Sequence, residues 1–347
     1  MKVKTNLPLN LADEHVYLFK GKEMYSLKEL RIRKLKNVFV NHWGVVLKRL
    51  LIPLRSAENL IGLYDQSFYW QHWRKVLEQY IVCKFGKSLP SVQLNDANEY
   101  YSIHTPWFGY FSWLTTHLPK LLAVSEKFPN AILLVPEGWD KEVFVKDTLE
   151  MFPQIKKEII PEDHHVFVKN FILAENRPWT SVFYPEQLKQ VRVLFFSNIS
   201  QVKLTPIKRI YVSRKQAKRR IIVNETDLVN CLRQFDFEEI CFEDYSIFEQ
   251  VYLMKHAECL VSMHGAGLTN AMFMSPKSSV LEISPVIENK DLFRFPFWRI
   301  SSILEIDYYI QFASTINNHE DDFYSRNIEV DIEQLKKNID LMIHKIS

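Results

Sequence analysis

Short apolar runs alternate with helical patterns in a regular order through the C-terminal half of the chain. Lys208 to Arg214 (KRIYVSR) reads as a strand, and Asn224 to Phe235 as a helix with Asn224 at its N-cap and Asp227 near the favourable end of the dipole. Glu238 to Phe242 is strand-like, Ser246 to Ala257 helical, Cys259 to Met263 strand-like, Leu268 to Met274 a short helix and Ser279 to Ile283 a strand. This βαβαβαβ order predicts a parallel, doubly wound sheet, which binds ligands at the carboxyl ends of its strands. The N-terminal half is less regular. Val38 to Leu47 fits paired strands, Trp107 to Ala123 a helix, Ala131 to Val135 a strand, Glu142 to Phe152 a helix and His165 to Leu173 a strand. The helical pattern from Pro185 to Ser197 reads as a connector, which puts a boundary near 200. Asp331 to Ile346 is an amphipathic helix expected to pack back across the domains.

Length supports the same division, since 347 residues at about 150 per domain is more than one module. The expected ranges are 1–200, 201–330 and a terminal helix over 331–347. Composition is that of an ordinary globular chain, and a formal charge of +3 is too small over this length to argue for nucleic acid as a partner. Between Lys20 and Arg55 ten basic residues face two acidic ones. That run fits an anionic lipid surface or simply a solvated face. With no apolar leader near Met1 and no stretch of 18 apolar residues, the expected location is cytoplasmic, with peripheral contact at the inner membrane as the reading of the basic run. The four cysteines form no CxxC pair and read as reduced core thiols.

Glycine changes the picture most. Eight in 347 is about 2.3%, against an average near 7%. The eight positions contain neither a Walker-type loop nor a full GxGxxG fingerprint, which excludes P-loop ATPases and ordinary NAD dehydrogenases. Only Gly265 and Gly267 lie within a turn of each other. They follow the buried-strand pattern of 259–263 in the run His264-Gly265-Ala266-Gly267-Leu268-Thr269-Asn270. A strand that turns through glycine into a helix offers backbone N–H groups and a helix dipole to an anion such as a diphosphate. His264 can donate to a phosphate or sugar oxygen there; a plain βα turn is the alternative.

Residues 208 to 220 hold seven basic side chains and no acid, and Arg214 emerges at the carboxyl end of its strand, on the rim of the glycine turn. An arginine so placed can neutralise a phosphate through two parallel contacts. For Lys215, Lys218, Arg219 and Arg220 the solvated-loop reading weighs as much as a role in binding. Glu282, inside the apolar run Ser279 to Ile283, fits either a ribose-binding acid or a solvent-facing strand residue. No two aspartates stand two residues apart, so no DxD motif is present, and neither HExxH nor GxSxG occurs. No metal site is expected.

The run Met263 to Pro276 (MHGAGLTNAMFMSP), with Tyr211-Val-Ser-Arg214, Arg220 to Glu225 (RIIVNE) and Val280-Leu-Glu282-Ile, resembles the bacterial members of glycosyltransferase family 61. Gly109 to Leu121 is similar to that family's acceptor-side helix, which draws in Tyr110 and Trp113. The resemblance covers roughly residues 100 to 290. It implies an α/β fold of the GT-B type, with two Rossmann-like domains facing a central cleft. It also implies a nucleotide-sugar donor held by Arg214, Arg219, the 264–270 turn and Glu282, inversion at the anomeric carbon, and no required metal or cofactor. The expected activity is transfer of a sugar from a UDP-sugar to a growing, lipid-linked or free glycan, in the setting of a bacterial surface polysaccharide. The family commonly shows His-Trp-Leu and then an acid before Leu-Pro, whereas this chain has Ser112-Trp113-Leu114 and Thr116. The base is therefore open among His117, Glu137 and Asp140. The rival readings are a non-catalytic nucleotide- or glycan-binding subunit and a transferase using a CMP-sugar. Donor sugar, acceptor, linkage and oligomeric state are not legible in the chain.

Overall fold

A computed structural model of the chain describes all residues except 28, 29, 43, 45, 49–90, 106, 107, 163, 176–180, 218, 219, 287–295, 317–325 and 347. For residues 41, 47, 48, 91–93, 140, 165 and 346 it describes the backbone alone. The chain divides into two units, one of Met1–Leu27 with Phe183–Ser347 and one of Lys28–Val182. Beside the expected ranges, residues 1–27 and 183–200 thus pack with the C-terminal unit.

The first segment forms a two-stranded antiparallel pair of β1 (Lys2–Lys4) and β2 (Met24–Ser26). It is tied to later residues of its own unit: the Leu9 N–H donates to Tyr308 O at 2.9 Å and Asn10 Nδ2 to Ile310 O at 2.9 Å. The Trp298 indole donates to Asn6 O, and Arg299 Nη2 to Lys22 O at 3.0 Å.

In the unit Lys28–Val182, β3 (Ile32–Asn41) lies antiparallel to β4 (Val46–Lys48) and to β9 (His165–Ala174). On the other side of β9 run β5 (Ser91–Gln93) and β6 (Tyr100–Ser102), followed by β7 (Ile132–Pro136) and β8 (Lys157–Ile160), all parallel neighbours. The core alternates along each strand, as at Val38 and Val40, Ile132 and Leu134, Val166 and Val168. Asn37, at φ 54°, breaks the alternation in β3, so that Leu35 and Val38, three residues apart, both pack on this core. The strand starts at Ile32, six residues before the apolar pattern suggests.

The sheet of the unit Phe183–Ser347 follows the order β11 (Glu238–Ile240), β10 (Arg209–Val212), β12 (Cys259–Met263), β13 (Ser279–Pro285), β14 (Asp307–Ile316), β15 (Asn327–Glu329). The first five are parallel and β15 is antiparallel. Helices Glu225–Arg233 and Ile332–Ile346 cover one face, with Leu228, Leu232, Leu335, Ile339 and Met342 packed on Tyr211, Val261 and Ile283. The intervening strand residues, such as Leu260 and Val280, are also buried, as expected of parallel strands covered on both sides. Helix Ile247–His256 starts with a capping box, Ser246 accepting from the Glu249 N–H and Glu249 from the Ser246 N–H. Asn224 occupies the N-cap of the preceding helix without capping it. Its amide spans to Val330 instead, donating to the carbonyl at 2.8 Å and accepting from the N–H at 3.0 Å. Cys231, Cys241 and Cys259 are buried free thiols.

Candidate functional site

Parallel strands in the order β11-β10-β12-β13-β14 leave one place where the chain reverses its direction of travel across the sheet, between β10 and β12. Loops there diverge to opposite faces and open a crevice at the carboxyl ends, which is where ligands bind in such sheets. Val212 and Ser262 are register partners across this gap, so Arg214 and His264 leave it side by side.

Arg214 reaches across the glycine turn. A Cβ built on Gly265 would lie 2.9 Å from Arg214 Nη1, so a side chain at 265 would displace the guanidinium. Gly265 itself is extended (φ 169°), and close approach rather than backbone strain accounts for it. At Gly267 a Cβ would lie 3.3 Å from the Phe242 ring. The 3-10 helix Ala266–Phe273 follows, and its first N–H groups have no acceptor within the helix. Ala266 is exposed and Gly267 half-buried, whereas Leu268, Thr269 and Asn270 are fully buried. Asn270 Nδ2 donates to Gln250 Oε1 at 2.8 Å, and Gln250 Nε2 donates to the carbonyls of Phe242 and Tyr245, both at 2.9 Å. Asn270 and Gln250 thereby tie the turn to the carbonyls of Phe242 and Tyr245.

Glu282 is buried on β13, 2% exposed, which excludes the solvent-facing reading. Its Oε1 is hydrogen-bonded to His264 Nδ1, and its Oε2 accepts from the Tyr308 hydroxyl at 2.7 Å. With the carboxylate accepting on both sides, Nδ1 carries the proton and the imidazole is held in one orientation. Tyr308 comes from β14, where no sequence motif marked it. Burial pulls the Arg214 guanidinium below its ordinary pKa, with Glu243 and Tyr211 opposing. It remains a cation at any working pH. Arg220 Nη1 donates to His264 O at 3.0 Å, and Arg214 Nε donates to Arg220 O at 3.0 Å. Lys215 is exposed and paired with Glu239 at 2.9 Å. Lys218 and Arg219 lie outside the described residues.

The other unit holds the remaining candidates. Tyr110–Ser112 leads into a π turn, Trp113–His117, and then helix Leu118–Lys127. The Leu118 N–H reaches back five residues to Trp113 O, and Pro119 has no N–H to offer, which explains the widened turn. Trp113 is fully buried, and its indole donates to Thr148 Oγ1 at 2.7 Å, so it packs the core rather than facing a ligand. His117 is also fully buried, its Nε2 3.3 Å from Thr105 Oγ1 and its ring 5.2 Å from that of Trp139. Phe108 stacks on the other side of this cluster, 4.4 Å from Trp139, and Tyr110 sets its ring edge-on to Phe144 at 5.5 Å. Glu137 is exposed at the end of β7, its Oε2 accepting from the Glu162 N–H at 3.0 Å. Asp140 lies in the turn Trp139–Lys141, but its side chain is outside the described residues.

Among the described residues no group of three or more His, Cys, Asp or Glu is placed to hold a metal ion, and no helix is long and apolar enough to cross a membrane. In the basic N-terminal run, Arg33 pairs with Glu175 at 2.9 Å, Lys34 with Glu99, and Lys36 donates to Asn170. Residues 49–55 of that run lie outside the described residues.

The family described as Glycosyltransferase 61 matches residues 110–281, a span that holds Arg214, the glycine turn and His117. A protein O-linked-mannose beta-1,4-N-acetylglucosaminyltransferase 2 of Tetraodon nigroviridis is 31% identical over 220 residues, 54% of this chain and 36% of that protein. Its counterpart in Bos taurus is 32% identical over 106 residues, 29% of this chain and 18% of its own length. The mouse protein is 35% identical over 80 residues, 22% and 14%. The matched stretches thus span well under half of these relatives. The family match covers just under half of this chain, and the relatives it resembles bear the names of glycosyltransferases.

Proposed function

We propose that the chain is an inverting glycosyltransferase of the GT-B type that moves a sugar from a nucleoside diphosphate to a growing glycan without a metal ion. The observation that carries this reading is the Arg214 guanidinium lying over Gly265 at the β10/β12 gap, beside an imidazole oriented by Glu282. A diphosphate leaving group builds up negative charge as the glycosidic bond breaks. A fixed guanidinium and helix-start amides stabilise that charge as a divalent cation does elsewhere. Direct displacement by a deprotonated acceptor hydroxyl inverts the anomeric carbon. The reading gives donor recognition to the unit that carries β10 to β14, and the base to His117, Glu137 or Asp140. His117, closed in by aromatic rings, needs a rearrangement to reach an acceptor, while the Glu137 carboxylate is already at the surface.

UDP is the proposed nucleotide, with a CMP-sugar as the rival. The printed activity of the relatives makes N-acetylglucosamine the first sugar to try. Acceptor panels then include O-linked mannose and bacterial surface glycans. Thermal shift with UDP, GDP and CMP in EDTA tests the donor side, since a ligand at 100 times its Kd stabilises by about 2.7 kcal/mol. Loss of all nucleotide affinity on chelation contradicts the metal-free mechanism. Binding of UDP without transfer to any acceptor, with His117→Ala, Glu137→Gln and Asp140→Asn all silent, favours a non-catalytic binding subunit. For a true base, turnover falls by roughly 10² to 10⁴ while UDP affinity holds.

A further inference from the structure

Arg220 sits at the end of the basic run, and two separate features of it call for a cause. Its backbone is left-handed, φ 62°, a conformation that disfavours any side chain with a Cβ and that persists only where the surroundings demand it. Its guanidinium also converges with that of Arg214. The point where a Gly265 Cβ would stand is 2.9 Å from Arg214 Nη1 and 3.7 Å from Arg220 Nη1. Two like charges brought over one glycine repel each other, and a bound anion relieves the repulsion.

The local bonding holds this geometry from both ends. Arg220 Nη1 donates to the carbonyl of His264, and the carbonyl of Arg220 accepts from Arg214 Nε. The left-handed turn at 220 aims the carbonyl at one arginine and the side chain at the glycine turn at the same time. Arg220 thereby places a second cation beside the first at the mouth of the switch-point crevice. We propose that Arg220 is a second phosphate-binding residue, so that Arg214 and Arg220 together grip a diphosphate rather than a single phosphate. This inference rests on the donor reading above and extends it by a residue and by a preference for diphosphate over monophosphate.

Arg220→Gly separates a ligand-binding role from a structural one. Glycine adopts the left-handed backbone without strain and keeps the carbonyl that Arg214 uses, so the unliganded melting temperature is expected to stay level or rise. Inorganic pyrophosphate, UDP and UMP are titrated calorimetrically in EDTA at several salt concentrations. Arg220→Gly is expected to weaken pyrophosphate and UDP at least about tenfold and UMP much less, with a flatter dependence of log Kd on log salt. Arg220→Gln repeats the measurement with a side chain retained, and is expected to show the same selective loss. Equal affinity of wild type and both variants for pyrophosphate and UDP overturns the inference and leaves the donor reading standing. Weakening of UDP with pyrophosphate unchanged also overturns it, since the loss then belongs to the nucleoside end. Wild-type protein that binds neither ligand overturns both readings.

Discussion

Replacing Tyr308 with phenylalanine removes one hydroxyl and almost no volume, which isolates the bond it donates to Glu282. That bond is 2.7 Å long and lies between residues 5% and 2% exposed, so water does not readily replace the lost donor. A hydrogen bond to a charged group contributes about 1.5 to 3 kcal/mol. For a unit of 150–250 residues each kcal/mol moves Tm by about 2 to 4 °C, so the variant is expected to melt roughly 3 to 12 °C lower. The functional consequence passes through His264, because Glu282 loses the clamp that fixes the oxygen opposite the imidazole. A double-mutant cycle on transfer rate with Tyr308→Phe and His264→Ala measures that link. If the three residues act as one chain, Tyr308→Phe costs much less in the His264→Ala background, with a coupling of about 0.5 to 3 kcal/mol. Additive losses, within about 0.5 kcal/mol, would refute the claim that Tyr308 acts through His264. An unchanged Tm would show that the bond itself contributes nothing.

Arg214→Ala is expected to lower transfer by about 2 to 4 kcal/mol in activation free energy, while Lys215→Ala, a solvated pair with Glu239, changes it little. Comparable rates for the two variants would reduce the basic run to surface charge. Gly265→Ala meets the flexible end of Arg214, so Tm is expected to hold within a few degrees while UDP affinity, read by calorimetry, drops about tenfold. A collapse in Tm with native-like binding would place the strain in the backbone instead. Burial pushes the Cys259 thiol up to about 12 from its ordinary value of 9.0. The folded state therefore favours the protonated thiol, and its contribution to stability is full below about pH 9 and is lost as pH climbs toward 12. Melting curves from pH 7 to 11 should fall above pH 9, and less steeply in Cys259→Ala. The same slope in both proteins would assign the alkaline loss to other groups, such as the Tyr309 phenol, which burial also pushes up to about 12.

Strands β10, β12 and β13 are legible because they are buried on both faces and read as largely apolar runs between turn residues, whereas β14 and β15 carry no such signal in the sequence analysis. β12 matches its sequence pattern residue for residue. β3 was half legible, since the left-handed Asn37 interrupts the alternation that marks a strand. The glycine turn and Arg214 were visible because glycine is so scarce in this chain that a pair of them needs a cause. Glu282 stands out in the sequence as an acid within an apolar run, but its partner does not. Tyr308 reaches it only through the register of β13 on β14, a relation between residues far apart in the chain. The buried position of Trp113 is not legible from its place on the acceptor-side stretch, since an aromatic side chain in a helix carries the same sequence signature whether it faces a core or a cleft.

The split of the larger unit around residues 28–182 has a consequence for how the protein is made. Residues 1–27 are made before the rest of this chain, but the atoms that hold them, on Trp298, Arg299, Tyr308 and Ile310, are synthesised almost 300 residues later. At 5 to 20 residues per second that is a delay of roughly fifteen seconds to a minute. During it residues 1–27 have only their own β1–β2 pair and none of these partners, while the whole of Lys28–Val182 emerges and can fold first. The unit of Lys28–Val182 is therefore free to form ahead of the unit whose sequence encloses it, and residues 1–27 are among the last to find their place.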